Sequence, residues 1–247
     1  MPVFFLPPRC ITPPTVSVTG DLLTHLRDSL RIEVGEAILL ADGEDRRYRT
    51  EIIAITKQSM TGQVIDVIPR PSQRAPSLIL GQALVKGEKM DWVIQKSTEL
   101  GVQKIIPIQS RQSIVQLKAD RIGAQTARWQ RIALEAAQQS EQWQVPVIAS
   151  PLSFSSCTTQ PPPQSLTLIL IERRNQISTL TNIVLPATPE ASILVLVGPE
   201  GGWTEEEVAT AEGAGCIPIT LGPKILRAET AAITAIAILQ HRLGELG

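Results

Sequence analysis

From residue 77 onward, short runs made almost wholly of apolar residues alternate with amphipathic stretches of helical period, and nothing else in the chain limits its fold as tightly. The runs are "SLILGQALV", "KIIPIQ", "VPVIA", "LTLILIE", "ILVLVG" and "CIPITLG". Between them, "EKMDWVIQKSTELG", residues 120–140, "TEEEVATAEGAG" and "ETAAITAIAILQHRLGEL" carry the spacing of helices. A strand that is apolar on both sides must be covered on both sides, so the alternation predicts an α/β fold: a mostly parallel sheet with helices on both faces. The last helix is apolar on nearly every side from Ala231 to Leu239. It is therefore expected to be buried, and a subunit interface would account for the excess.

Upstream the grammar differs. "RIEVGEAILLADGE", "RRYRTEIIAITKQ" and "MTGQVIDVIP" are short β-rich runs with turn signals at Val34-Gly35, Asp42-Gly43 and Thr61-Gly62, the pattern of a small barrel or sandwich. Before them "DLLTHLRDSLRI" sets Leu22, Leu23, Leu26 and Leu30 at helical spacing. Between the two regions "PRPSQRAP", residues 69–76, cannot continue a helix or a central strand, which divides the chain into domains at 1–72 and 73–247. The patch "TTQPPPQS", residues 158–165, reads as a surface loop. Arg46, Arg47 and Arg49 flank Tyr48, as a basic patch with one stacking aromatic or as a charge-decorated hairpin. Trp129 and Trp143 read as packing residues, and His25 as a cap or a solvent-facing group.

A chain of 247 residues, 43% hydrophobic and 19% charged, can bury a substantial core. No apolar run approaches the roughly 20 residues that span a bilayer, and Met1–Cys10 lacks the marks of a secretory signal, so a cytoplasmic protein without membrane attachment is expected. Cys10, Cys157 and Cys216 lie far apart, and His25 and His241 do not complete a ligand spacing with them. Neither a disulfide framework nor a metal site is expected. A formal net charge of −1 argues against a molecule coated in positive charge but leaves room for RNA on a local basic face.

One stretch asks for a ligand. In "ILVLVGPEGGWTEEEV", residues 193–208, a buried strand gives way to Gly198–Gly202, where main-chain groups lie bare; "CIPITLGPKILRAETAA" repeats the form through Leu221-Gly222-Pro223 into a helix near Glu229. In open α/β sheets ligands bind beyond the carboxyl ends of strands, and two such loops can share one pocket with Ile225 and Leu226 as its apolar wall. The loop lacks the signatures of a P-loop and of a dinucleotide fold. The residues by themselves point to an adenosine-like or similar small ligand.

The stretches "GPEGG" (198–202), "LGPKILRAETAA" (221–232), "KGEKMDWVIQKSTELGV" (86–102), "HLRDSLRIEVGE" (25–36) and "WQRIALEAAQQS" (129–140) occur in one order along nearly the whole chain. Together they resemble the ribosomal RNA small-subunit methyltransferase E family, SPOUT-class enzymes that methylate N3 of a uridine in 16S rRNA with S-adenosylmethionine. The resemblance implies a PUA-like N-terminal β-barrel that binds RNA, a trefoil-knotted methyltransferase domain, a homodimer, and a role in rRNA processing and ribosome biogenesis on the small ribosomal subunit. Carried onto this chain, it places the cofactor at Leu170 and Ile171, at Leu196, Val197, Gly198, Pro199, Glu200, Gly201 and Gly202, and at Leu221, Gly222, Ile225, Leu226 and Arg227.

Arg9, Arg27, Arg31, Lys86, Lys89 and Lys96 are the candidate RNA contacts, with a solvated face as the plain alternative. Arg227, with its planar fork of donors, is the candidate for stabilising the uridine anion, and Glu200 and Glu229 are candidates for its proton. Each glutamate has a structural alternative, Glu200 as an orienter of the loop and Glu229 as a favourable charge at a helix N-terminus. The chain departs from the family pattern at Val3, where an Arg is usual, at Glu141-Gln142-Trp143-Gln144, where Gly-Arg is usual, and at Ala228, where a Thr is usual. A non-catalytic RNA-binding protein, a methyltransferase of the same class acting on another RNA, and an α/β enzyme of another nucleotide are the competing readings.

Overall fold

The computed structural model describes residues 3–172 and 178–247. Its backbone contacts separate two compact units, residues 1–72 with 137–145, and residues 73–136 with 146–247.

The first unit contains β1 (Val3–Phe5), β2 (Ile11–Thr12), β3 (Thr15–Val18), α1 (Gly20–Thr24, continued by a π turn over His25–Ser29), β4 (Ala37–Ala41), β5 (Arg46–Ile55) and β6 (Met60–Pro69). Among the described residues they form one sheet in the order β1-β4-β5-β6-β3-β2, antiparallel except for β1 beside β4. Its core joins Leu23 and Leu26 of the helix to Val16, Val18, Ile38, Leu40, Ile52 and Met60 of the strands. Leu30, the last of the four leucines, lies past the π turn and is exposed.

One expectation is corrected in this unit, and one of two alternatives is decided. Thr61-Gly62 is not a turn: Gly62 lies within β6, paired to Ile52 and Val16, and the chain reverses at Thr56–Ser59, held by the Thr56 hydroxyl. The glycine is there for close approach, since a Cβ at 62 would come within 2.3 Å of Thr50 Cγ2. Tyr48 is not a stacking aromatic either, being only 6% exposed with its hydroxyl 3.3 Å from Asp42 Oδ2. Its neighbour Arg47 turns inward as well, donating from Nη2 to the Glu141 carbonyl at 2.5 Å and lying 3.8 Å over the Trp143 ring. Trp143 therefore packs under a cation, and His25 sits edge-on to Phe4.

The second unit contains β7 (Ser77–Ala83), α2 (Lys89–Glu99), β8 (Lys104–Gln109), most of α3 (Ala119–Gln139), β9 (Val147–Ile148), β10 (Leu152–Ser153), α4 (Phe154–Thr159), β11 (Ser165–Leu170), β12 (Ser178–Thr179), β13 (Ser192–Val197), α5 (Glu205–Gly213), β14 (Ile217–Thr220) and α6 (Ala228–Arg242). Every strand pairing in it is parallel, in the order β10-β8-β7-β13-β11-β14-β12 with β9 also on β8. Phe154 and Cys157 of α4 and Ala211 of α5 close one face over Ile79, Ile106, Ile169 and Leu194. On residues of opposite parity, Leu78, Leu80, Ile193 and Val195 are as deeply buried, and α6 packs on β7 and β13 with α2 against it. Both faces are covered, as continuous apolar strands require.

The 158–165 patch is a loop only over 160–164. Thr158 and Thr159 end α4, a short helix capped by Ser153, whose hydroxyl accepts the Ser156 N–H at 3.1 Å. In α6, Ala232, Ala235, Ile236 and Leu239 are fully buried, whereas Ile233, Ala237 and Ile238 are half-buried. No described helix is long and apolar enough to cross a membrane. Cys157 and Cys216 lie within the core, and burial pushes the Cys157 thiol up to about 11.

Candidate cofactor and catalytic site

Strands β13, β11 and β14 lie side by side, so their carboxyl ends deliver three loops to one place. Leu170–Glu172, Val197–Trp203 and Thr220–Leu226 supply most of the wall of a cavity of about 770 Å³. Such a volume suits a cofactor-sized ligand. Within "GPEGG" the Gly202 N–H donates to the Pro199 carbonyl at 2.9 Å, closing a turn that ends on Gly202 at φ 74°. This left-handed value is open to glycine and strained for other residues. Beside it, a Cβ at Gly201 would come within 2.6 Å of Gln112 Oε1, from the loop after β8.

Trp203 is a site residue that the sequence reading missed. Its Nε1 donates to the Leu170 carbonyl at 3.1 Å, its ring packs on Phe154 at 4.7 Å, and it lines the cavity, so it locks the loop after β13 to the end of β11. A lone Trp after two glycines signals none of this in sequence. Glu172, Glu205 and Lys224 also line the cavity and went unnoticed. Behind the wall, buried Gln82 donates from Nε2 to the Ala83 carbonyl at 2.9 Å and reaches the Gly198 carbonyl at 3.5 Å. Glu207, 5% exposed, exchanges hydrogen bonds with Thr204 and accepts the Arg111 N–H at 3.0 Å, which fixes the start of α5 beside the loop.

Of the expected cofactor residues, ten line the cavity: Leu170 and Ile171, Val197 to Pro199, Gly201 and Gly202, and Leu221, Ile225 and Leu226. Leu196, Glu200, Gly222 and Arg227 are not among its lining. Leu196 is one residue too deep in the strand, fully buried in the core. Glu200 points to α2 instead, its Oε1 accepting from Lys89 Nζ at 2.9 Å and from the Lys86 N–H at 3.3 Å. Partial burial works to raise this carboxyl, but the Lys89 ammonium and the backbone N–H groups of Glu200 and Lys86 outweigh it and hold it below the usual carboxylate range. Glu229, in the first turn of α6, keeps a buried Oε2 without a hydrogen bond among the described residues, 3.8 Å from Lys89 Nζ.

Arg227 is the extended residue preceding α6, between Leu226 and Ala228 of the cavity wall; it is exposed, and among the described residues its guanidinium has no partner. The six basic candidates divide evenly. Arg9, Arg31 and Lys86 are exposed with unpartnered side chains among the described residues. Arg27 is held by Asp28 at 2.6 Å and by the Lys57 carbonyl at 2.9 Å, Lys96 by Glu99 at 2.8 Å, and Lys89 by Glu200. Lys96 lies in the last turn of α2, away from Lys86 and Lys89 at its start.

Comparison with known proteins agrees with this architecture. The sequence profile of the RNA methyltransferase domain matches residues 72–240, and that of the RNA methyltransferase PUA domain matches residues 18–65. The ribosomal RNA small subunit methyltransferase E of Bacillus subtilis (strain 168) is 30% identical over 232 residues, covering 93% of this chain and 91% of that protein. Its counterpart in Synechocystis sp. is 31% identical over 231 residues, covering 93% and 74%. The crystal structure of the ribosomal RNA small subunit methyltransferase E from Neisseria gonorrhoeae bound to S-adenosyl methionine matches with a TM-score of 0.87 and 32% identity over 98% of each chain. Fold and family matches thus define an RNA methyltransferase with a PUA domain and a parallel-sheet α/β domain. The chain belongs to the ribosomal RNA small subunit methyltransferase E family.

Proposed function

We propose that the protein binds S-adenosylmethionine in the cavity at the ends of β11, β13 and β14 and methylates N3 of a uridine in 16S rRNA on the small ribosomal subunit. In this reading residues 1–72 engage RNA, residues 73–247 carry the knotted catalytic domain, and the half-buried face of α6, with Ile233, Ala237 and Ile238, packs against a second copy. The observation that carries it is the meeting of three strand-end loops around one cavity, in a chain whose Neisseria relative is described as bound to S-adenosyl methionine.

The donor set suits that cofactor. Ile171, Leu221, Ile225 and Leu226 offer apolar walls to an adenine ring, the bare main chain of the Gly-rich turn reaches polar edges, and Glu172 and Glu205 face positive groups. When bound, S-adenosylmethionine supplies the electrophilic methyl group. The chain must then make uridine N3 nucleophilic, which requires loss of its proton and stabilisation of charge on the two flanking carbonyl oxygens. Arg227 meets the second need, with a guanidinium that carries no other partner among the described residues. Of the two glutamates, Glu200 is occupied in anchoring its loop, and Glu229, whose Oε2 lies 3.8 Å from Lys89 Nζ with no hydrogen bond among the described residues, is the one left to take the proton.

Calorimetric titration of the full chain tests the cofactor assignment. Saturable binding of S-adenosylmethionine in the absence of RNA is expected; no binding at millimolar cofactor would remove the assignment.

A further inference from the structure

Lys89 opens α2, where the helix dipole disfavours an ammonium. The charge is compensated from two other elements. Its Nζ donates to Glu200 Oε1 at 2.9 Å and faces Glu229 Oε2 at 3.8 Å, while the Lys86 N–H, three residues upstream, also donates to Glu200. Glu200 is the second residue of the turn whose other members, Pro199, Gly201 and Gly202, line the cavity. Glu229 directly follows Ala228, which lines it too. A single ammonium therefore connects the start of α2, the tip of the Gly-rich turn and the first turn of α6.

We propose that Lys89 is a positioning residue for the cofactor site, an ionic clip that holds the Gly-rich turn against α2 and the start of α6, and not a phosphate contact. The inference rests on reading the cavity as the S-adenosylmethionine site. An isolated exposed ion pair would contribute little. This group differs: the Lys89, Glu200 and Glu229 side chains are only 34%, 26% and 15% exposed, and Glu229 Oε2 has no hydrogen-bond donor among the described residues. Removing the cation takes the shared ammonium from both carboxylates and leaves Glu200 with its backbone donor from Lys86. A phosphate could recruit Lys89 only by taking it from both carboxylates.

The test compares Lys89→Met, Lys89→Arg, Glu200→Gln and the Lys89→Met/Glu200→Gln double variant in the full chain. S-adenosylmethionine affinity is measured without RNA, RNA affinity is measured against salt, and thermal midpoints check folding. Lys89→Met is expected to weaken cofactor binding about tenfold with an unchanged RNA salt slope, and Lys89→Arg to restore it to within about threefold. The double variant should lose no more than about twofold beyond Lys89→Met, because the two residues act through one contact. Wild-type cofactor affinity in Lys89→Met, losses that multiply in the double variant, or a reduced RNA salt slope with cofactor binding intact would each overturn the clip. Should Lys89→Met fail to fold, wild-type cofactor affinity in Glu200→Gln would overturn it equally. Absence of binding by the wild-type chain would instead remove the cofactor reading itself, and the clip with it.

Discussion

At position 202 the chain takes a φ of 74° immediately after the turn it closes back to Pro199. Placing a side chain there forces a residue other than glycine into left-handed backbone, at a cost of about 1–2 kcal/mol. Gly202→Ala is therefore expected to weaken S-adenosylmethionine binding roughly tenfold while leaving the fold intact, since the strain falls on the turn and the strands around it are buried independently. Calorimetry with a circular-dichroism control checks it, and unchanged affinity would mean the turn does not shape the cavity. The glycines were legible as a ligand loop because a second loop of the same form follows the next strand; either alone reads more readily as a structural turn. The partners of that loop were not: Trp203 reaches Leu170, Glu200 reaches Lys89 and Gly201 abuts Gln112, all across sequence separations that no local pattern reports.

Elements with an uninterrupted apolar run or a long helical period were the readable ones. β7, β8, β11, β13, β14 and α6 follow from composition alone, since each must be buried and each has a length that admits one solution. Short elements stayed hidden. β1, β2, β3, β10 and β12 are two to four residues long, too few to show a period, and α4 is a single capped turn and a half inside a Ser/Thr-rich stretch. Local capping does carry one strong signal, in "TEEE" at 204–207, where Thr204 and Glu207 satisfy each other's backbone N–H groups at 3.1 and 2.9 Å. Thr204→Ala removes the half of that box that serves the helix and should cost about 1 kcal/mol. In a chain of this size the midpoint should fall by roughly 2–4 °C. A thermal melt with no shift would show that the buried Glu207 holds the α5 start unaided.

For the molecule as a whole, a net charge of −1 cannot draw RNA in by itself, so any attraction must come from placement. In the first unit Arg47 turns inward and Arg27 is held by Asp28, whereas Arg9 and Arg31, and Arg46 and Arg49 on β5, are exposed. Arg9→Glu combined with Arg31→Glu should lower RNA affinity, shrink the salt slope by about one per lost phosphate contact, and leave cofactor affinity unchanged. An unaltered slope would exclude both from the RNA surface. The punctuation at 69–76 marks a change of composition, but it does not report that residues 137–145 group with the first unit, and the knot is an expectation from family kinship that periodicity does not carry. The reaction proposed for the protein is methyl transfer to uridine N3 beside Arg227. Single-turnover reactions with unmethylated small ribosomal subunits and isotopically labelled S-adenosylmethionine, followed by nucleoside mass spectrometry, read it directly. The wild-type chain is predicted to place the label on N3 of one uridine, and Arg227→Ala to lose about 100-fold or more in rate while binding the cofactor almost normally. Label on another atom or base, or near-normal turnover in Arg227→Ala, would contradict the account.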